Sequence, residues 1–274
     1  MAVSGSPSAF TSPLTQDANR DRVALVTGGG TGIGRATARA LAHSGARLVI
    51  CGRRAEPLMS VRSELEARGT DCLALPADIR EPDQVEALVD AALERFGRID
   101  VLVNNAGGQF EAPAEAISLK GWRAVHRLTV DAAWNLTHTV ATRSMIPDGS
   151  GLVVFLGFSP RRGIPGFAHA AAARGALEVL AAGLSLEWSR HGIRTVCVAI
   201  GNVLTEGLLG YGSEVVDRSS RQVPLGRLGM PEEVASVIAF LASAGGAYVT
   251  GTTVVVDGGL DAWGAGEPPP NPGP

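Results

Sequence analysis

Between Arg22 and Gly259, short apolar runs rich in β-branched residues alternate with stretches whose apolar positions recur at helical spacing. The runs predict strands over residues 23–27, 47–51, 72–75, 101–104, 152–156, 195–199 and 253–257. Helices fill the intervals, with Gly45, Gly69, Gly97 and Gly192 at their carboxyl ends and Pro82 and Pro231 at first helical positions. Strands that alternate with helices in this way form a parallel sheet covered on both faces, because each crossover helix must pack back onto the sheet. The pattern therefore predicts an α/β protein: a doubly wound parallel sheet in a single domain over residues 21–260. In such sheets ligands bind at the carboxyl ends of the strands, so the residues just after each strand are the ones to read for chemistry.

Composition narrows the partners. The chain has 274 residues, is 45% hydrophobic and 19% charged, and carries a net charge of -3. That is enough apolar material for one large core and leaves no basic face, so a small-molecule substrate is expected and nucleic acid is not. No apolar stretch approaches the roughly 20 residues of a membrane span, and no membrane association is expected. Cys51, Cys72 and Cys197 are odd in number and sit in apolar runs, which reads as reduced core thiols of a cytoplasmic protein. The Ser/Pro/Ala/Thr-rich residues 1–20 and the Pro/Gly-rich end, residues 261–274, are expected to be disordered tails.

The first strand breaks into Thr27-Gly-Gly-Gly-Thr-Gly-Ile-Gly34, and a helix-forming stretch over residues 35–42 follows. This is the order a phosphate-binding turn requires. Gly28 permits the tight turn, Gly32 the approach of a diphosphate, and Gly34 close packing of helix on strand, so that the helix offers free N–H groups to an anion. Thr27, Gly28, Gly30, Thr31, Gly32, Ile33 and Gly34 are the candidate cofactor residues of this turn. About 20 residues further on, where an acidic residue would bind an unphosphorylated ribose, stand Gly52, Arg53 and Arg54. Two arginine forks suit a 2′-phosphate, which predicts NADP(H) over NAD(H). The competing reading pairs them with Glu56 at a solvated helix start. Asp78 and Ile79 end the third strand, where the carboxylate can accept a hydrogen bond from adenine or cap the next helix.

After the fourth strand comes Asn104-Asn-Ala-Gly-Gly-Gln-Phe110. Together with the glycine turn, Asp78-Ile79, Gly192-Ile-Arg194, Gly201 with Thr205 four residues on, residues 224–234 and Val254-Val-Val-Asp-Gly-Gly259, it makes the chain resemble the short-chain dehydrogenase/reductase family over nearly all of residues 21–260. The resemblance implies a Rossmann-type fold, a nicotinamide cofactor and a homodimer or homotetramer. It also places Asn105, Ala106, Gly107, Gly201 and Thr205 on the cofactor. No metal is expected.

The family's usual catalytic set is a Tyr, a Lys four residues after it, an upstream Ser and an Asn. Carried onto this sequence, the resemblance puts Ala170 at the Tyr, Arg174 at the Lys, Gly157 or Phe158 at the Ser and Thr129 at the Asn position. The loss does not depend on the alignment, since Tyr211 and Tyr248 are the only tyrosines and Lys120 the only lysine. Ala170 has no proton to give to a ketone, and an arginine does not release one. Arg174 keeps the ability to hold ribose hydroxyls and to supply positive charge. Ile200 and Val196 stand where the family commonly has Pro and Asn.

Residues 105–110, His169 with Arg174, Gly210-Tyr-Gly212 and residues 254–259 are similar to NADPH-dependent trans-2-enoyl-CoA reductases and the related dienoyl-CoA reductases. That resemblance implies reduction of an activated C=C bond, in which hydride adds to the β carbon and charge develops on a thioester enolate. Arg174, His169 and Ser159 are the candidate catalytic residues. His169 is read as a proton donor or a helix cap, and Ser159 as an enolate donor or a turn residue. Tyr211 either lines the pocket or packs; Trp122 and Trp134 are expected in the core or an interface. The competing function is a non-redox member that keeps the dinucleotide cleft but cyclises, isomerises or only binds.

Overall fold

The computed structural model describes residues 14–159 and 163–263. Seven strands form one sheet: β1 (Val23–Thr27), β2 (Arg47–Gly52), β3 (Cys72–Pro76), β4 (Val101–Asn104), β5 (Gly151–Phe158), β6 (Ile193–Ile200) and β7 (Thr252–Val256). Their order is β3-β2-β1-β4-β5-β6-β7 and every pairing is parallel. All seven expected strands are present. β5 and β6 run on at both ends, because they pair along their whole length from Gly151 with Ile193 to Phe158 with Ile200.

Helices α1 (Gly32–His43), α2 (Ala55–Ala67) and α3 (Pro82–Phe96) follow the first three strands. The run α4 opens at Leu119–His126 and continues through two π turns (Arg127–Asp131 and Ala141–Met145) and Ala132–Val140 to Ile146–Asp148. Then come α5 (Ala168–Trp188), the short α6 (Glu206–Leu209) and α7 (Ser213–Arg221), and α8 (Pro231–Ala242). Pro82 and Pro231 both open their helices.

The inner strands β1, β2, β4, β5 and β6 are buried on both faces, so two apolar cores form. One joins the sheet to α3, α4 and α5 through residues such as Leu88, Leu136 and Leu184; the other joins it to α1, α2 and α8 through Leu41, Leu58 and Ile238. Burying a side chain of this size contributes roughly 1.5–3 kcal/mol, and the double layer explains why these strands read as continuous apolar runs.

The tail boundaries differ from expectation where they can be described. Residues 14–20 fold as turns, with Asn19 buried and donating to Ser44 Oγ at 2.8 Å and to the Ala239 carbonyl at 3.0 Å. A long-range polar anchor of this kind leaves no periodic signal. At the other end Leu260–Trp263 is one helical turn, and residues 1–13 and 264–274 lie outside the described residues.

Candidate active site

The strand order reverses between β1 and β4, and the chain leaves those strands in opposite directions, opening a crevice at their carboxyl ends. Two side chains latch its walls together. Thr27 Oγ1 accepts from the Asn105 and Ala106 amides at 3.0 and 2.8 Å, and Asn105 Nδ2 donates to the Thr27 carbonyl at 2.7 Å. Both side chains thus build the wall rather than reach into the crevice. Gly28 and Gly32 have φ of +66° and +51°, which a side chain strains. Gly34 is required by close packing: a Cβ there would lie 2.6 Å from Asn105 Nδ2 and press on the Gly28 carbonyl.

Two adjoining cavities, of about 440 and 700 Å³, fill the crevice and share Gly28, Thr31, Arg54, Ala106 and Gly107. The smaller is lined by Thr27, Gly30, Arg53, Asp78 and Ile79; the larger by Gly32, Ile33, Asn105, Arg174, Gly201 and Thr205. Every expected cofactor residue except Gly34 therefore faces one continuous cleft, and Gly34 sits behind it holding α1 against β1.

At the far end of the smaller cavity Arg53 and Arg54 are exposed on the rim and make no ion pair or hydrogen bond among the described residues, with Glu56 included. Asp78 is gripped by the fork of Arg80, and that bond holds its carboxyl at about 2. Its alternative role as a helix cap does not hold, since Glu81 occupies the cap of α3.

The larger cavity ends at Arg174. Its Nη1 donates to the Leu156 carbonyl at 2.7 Å, its guanidinium carbon lies 6.0 Å from the Phe158 ring centre, and no carboxylate pairs with it among the described residues. Burial pushes its pKa down. Gly107 packs directly against it: a Cβ there would lie 2.5 Å from Nη2 and would push the guanidinium aside. The result is an unneutralised cation on the inner wall of the cleft. Around it, Ala170 and Thr129 are buried, and Gly157 admits no side chain, its Cβ position being 2.6 Å from Cys197 Sγ.

Two of the three catalytic candidates are placed differently from expectation. His169 is fully buried behind Phe110, with ring centres 4.2 Å apart, and is not part of the cleft lining. Among the described residues both its ring nitrogens lack a hydrogen-bond partner, so it does not cap α5, and burial first and His126 second push its pKa down. Ser159 does line the cleft, but its hydroxyl donates to Asp257 Oδ2, a carboxylate that also accepts from the Gly259 and Asp261 amides. That bond ties β5 to the segment after β7 and takes the proton an enolate would need. Trp122 and Trp134 are not core residues; they lie on the exposed side of α4, against His126 and His138.

Three polar cleft residues, Gln109, Asn202 and Glu206, carry no signal in the sequence. Thr205 Oγ1 accepts from the Leu208 amide at 3.2 Å and so starts α6, whose first residue Glu206 accepts from the Gly32 amide at 3.1 Å and from Arg35 at 2.6 Å. Backbone N–H groups, its own first, and the Arg35 charge hold the Glu206 carboxyl below its ordinary range. Gln109 and Asn202 complete the wall of the substrate end, and Tyr211 faces it from the segment after α6. Glu206 and Asn202 meet their partners across more than a dozen residues, and no local spacing announces such contacts.

A glycine turn opening a helix at the switch point of a doubly wound sheet defines a dinucleotide-binding protein. The family model described as enoyl-(acyl carrier protein) reductase matches residues 28–261. The chain is 33% identical over 258 residues to the peroxisomal 2,4-dienoyl-CoA reductase of Danio rerio, covering 93% of this chain and 85% of that one. It is 38% identical over 243 residues to the gluconate 5-dehydrogenase of Gluconobacter oxydans, covering 86% and 93%. A crystal structure of a gluconate 5-dehydrogenase from Burkholderia cenocepacia in complex with NADP and tartrate superimposes with a TM-score of 0.82 at 34% identity, covering 89% of this chain and 98% of that one. The chain belongs to the short-chain dehydrogenase/reductase family and is an oxidoreductase.

Proposed function

We propose that the protein is an NADPH-dependent reductase of the C=C bond of an enoyl thioester or a related enone. The observation that carries this reading is Arg174: an uncompensated guanidinium at the inner end of the cleft, in a helix that offers no phenol and no ammonium. Such a group does not protonate a ketone, yet it lowers the energy of an enolate oxygen as negative charge develops there. The dienoyl-CoA reductase among the relatives and the matched family model agree with this direction.

The residues present fit the cofactor. The Gly28 and Gly32 turn leaves space for a diphosphate at the α1 N-terminus, where the Gly32 amide would exchange the Glu206 carboxylate for it. Arg53 and Arg54 stand free for a 2′-phosphate. When bound, NADPH supplies the hydride. This chain orients the substrate against Phe158, Leu156 and Tyr211, keeps water from the inner wall with Gly107 packed on Arg174, and places the guanidinium charge by the substrate carbonyl. Loss of NADPH absorbance with a panel of enoyl thioesters and cyclic enones tests the reading. Simple ketones are expected to react poorly, and ready reduction of ketones would overturn it.

NADPH is expected to bind at least tenfold more tightly than NADH, since charge-assisted bonds of this kind contribute about 1.5–3 kcal/mol. Fluorescence titration of both nucleotides measures this. Equal affinities, or an Arg53→Ala variant that keeps the preference, would return the pair to a solvated helix start.

We also propose a homodimer or homotetramer. On α5 the residues Ala172, Ala176, Val179, Gly183 and Leu186 form one exposed stripe, in which Val179 and Leu186 are 74% and 81% exposed. Isolated apolar residues are ordinary on a surface, whereas a continuous stripe of small ones invites close helix packing. Light scattering should give a multiple of the chain mass at micromolar concentration, reduced to a monomer by Val179→Arg. A wild-type monomer would contradict the assignment. The location proposed is the cytoplasm, in keeping with three free, buried cysteines whose thiols burial pushes up to about 12.

A further inference from the structure

Reduction of a C=C bond needs a proton for the α carbon as well as a hydride for the β carbon, and α5 carries no acid at the cleft. The other polar side chains lining the substrate end are not acids available to the α carbon. The Ser159 hydroxyl donates its hydrogen bond to Asp257, and Asn202, an amide, donates to the Ser219 carbonyl at 2.9 Å. Glu206 is held ionised by Gly32 and Arg35. Gln109 is an amide, and Arg174 a guanidinium that keeps its protons. Thr205 is too weak an acid to serve in place of a phenol. One group remains.

Tyr211 lines this cavity, is 43% exposed, and its hydroxyl makes no hydrogen bond among the described residues. Its position is fixed by the chain around it. The Tyr211 amide donates to the Leu208 carbonyl at 3.1 Å, closing the turn after α6, and α6 is fastened to the α1 N-terminus through Glu206. The remaining tyrosine, Tyr248, is fully exposed at 102% and lines none of the cavities described above.

Resting on the reading of the cleft as an enoyl reductase, we propose that Tyr211 is the proton donor, a phenol supplied by the segment after α6 where α5 has lost one. Hydride forms the new bond to the β carbon, and the π pair moves onto the thioester as an enolate beside Arg174. The enolate then collapses: its α carbon takes the phenol proton as the O–H bond breaks, and the pair stays on the phenolate oxygen. Solvent, which reaches the side chain, returns the proton. The sum is NADPH, one proton and the enoyl thioester giving NADP+ and the saturated thioester. Transfer runs downhill, because a phenol is a far stronger acid than the α C–H bond it forms.

Tyr211→Phe keeps the ring and removes only the proton. With an enoyl thioester, kcat is expected to fall about a hundredfold, the low end for loss of a general acid, while the NADPH dissociation constant stays within twofold. The wild type should show a solvent isotope effect on kcat that Tyr211→Phe lacks. A variant that turns over within twofold of the wild type, or that keeps the solvent isotope effect, would overturn the proposal, and so would a variant whose defect lies in NADPH affinity. A wild type that binds NADPH but reduces no enoyl thioester or enone would overturn the reading of the cleft itself, and this assignment with it.

Discussion

Arg174→Ala is expected to lower kcat on an enoyl thioester by about 10²–10³, equivalent to roughly 2.7–4 kcal/mol of barrier, if its loss resembles that of a single oxyanion-hole donor. The physical reason is the absence of a counter-charge. A guanidinium paired with a carboxylate presents little field, whereas this one is held by a single carbonyl and faces the cleft. Because the enolate charge appears only as hydride arrives, the loss should fall on kcat and not on the affinity for a ground-state analogue. Arg174→Lys keeps the charge but not the planar fork, so it should recover part of the rate. Stopped-flow measurement of a single turnover separates the chemical step from release. Unchanged turnover in Arg174→Ala would place the group that stabilises the enolate elsewhere in the cleft.

The architecture was legible because each strand and helix announces itself within a dozen residues. Apolar runs such as residues 23–27 and 101–104 are buried on both faces, and Pro82 opens α3 where local rules put it. The cofactor wall was legible for the same reason, since its glycine turn and the segment after β4 are contiguous motifs that fold as units. Failures have a common cause, which is that sequence shows a residue's chemistry but not what already occupies it. Ser159 carries the right hydroxyl, yet Asp257 takes its proton from a position 98 residues later. His169 carries the right imidazole, yet Phe110 covers it. Glu206 gives no local signal although it touches the most recognisable turn in the chain, because its bond to Gly32 spans 174 residues. Local chemistry in these cases is subordinate to long-range pairing, and no periodicity encodes such pairs.

Gly34→Ala is expected to be the most damaging one-carbon change in the fold. An added Cβ would lie 2.6 Å from Asn105 Nδ2 and 2.7 Å from the Gly28 carbonyl carbon, with the Gly28 oxygen nearer still. Two of these three atoms are backbone in a turn whose own glycine sits at φ +66°, and Asn105 is tied to the Thr27 carbonyl at 2.7 Å, so neither side yields cheaply. Helix α1 must move outward instead. Overpacking of this kind costs about 3 kcal/mol, the upper part of the usual range. For a domain of this size that corresponds to roughly 6–12 °C in Tm. The displaced α1 N-terminus also withdraws the N–H groups offered to the diphosphate, and NADPH affinity should fall tenfold or more. Gly175→Ala is the matched control: it lies within α5 and outside the exposed stripe, with nothing within 4 Å of its Cβ position, and should raise stability by about 1 kcal/mol. Differential scanning calorimetry and NADPH titration on both variants read the two effects separately, and a Gly34→Ala protein with wild-type Tm and affinity would show that α1 does not depend on this contact.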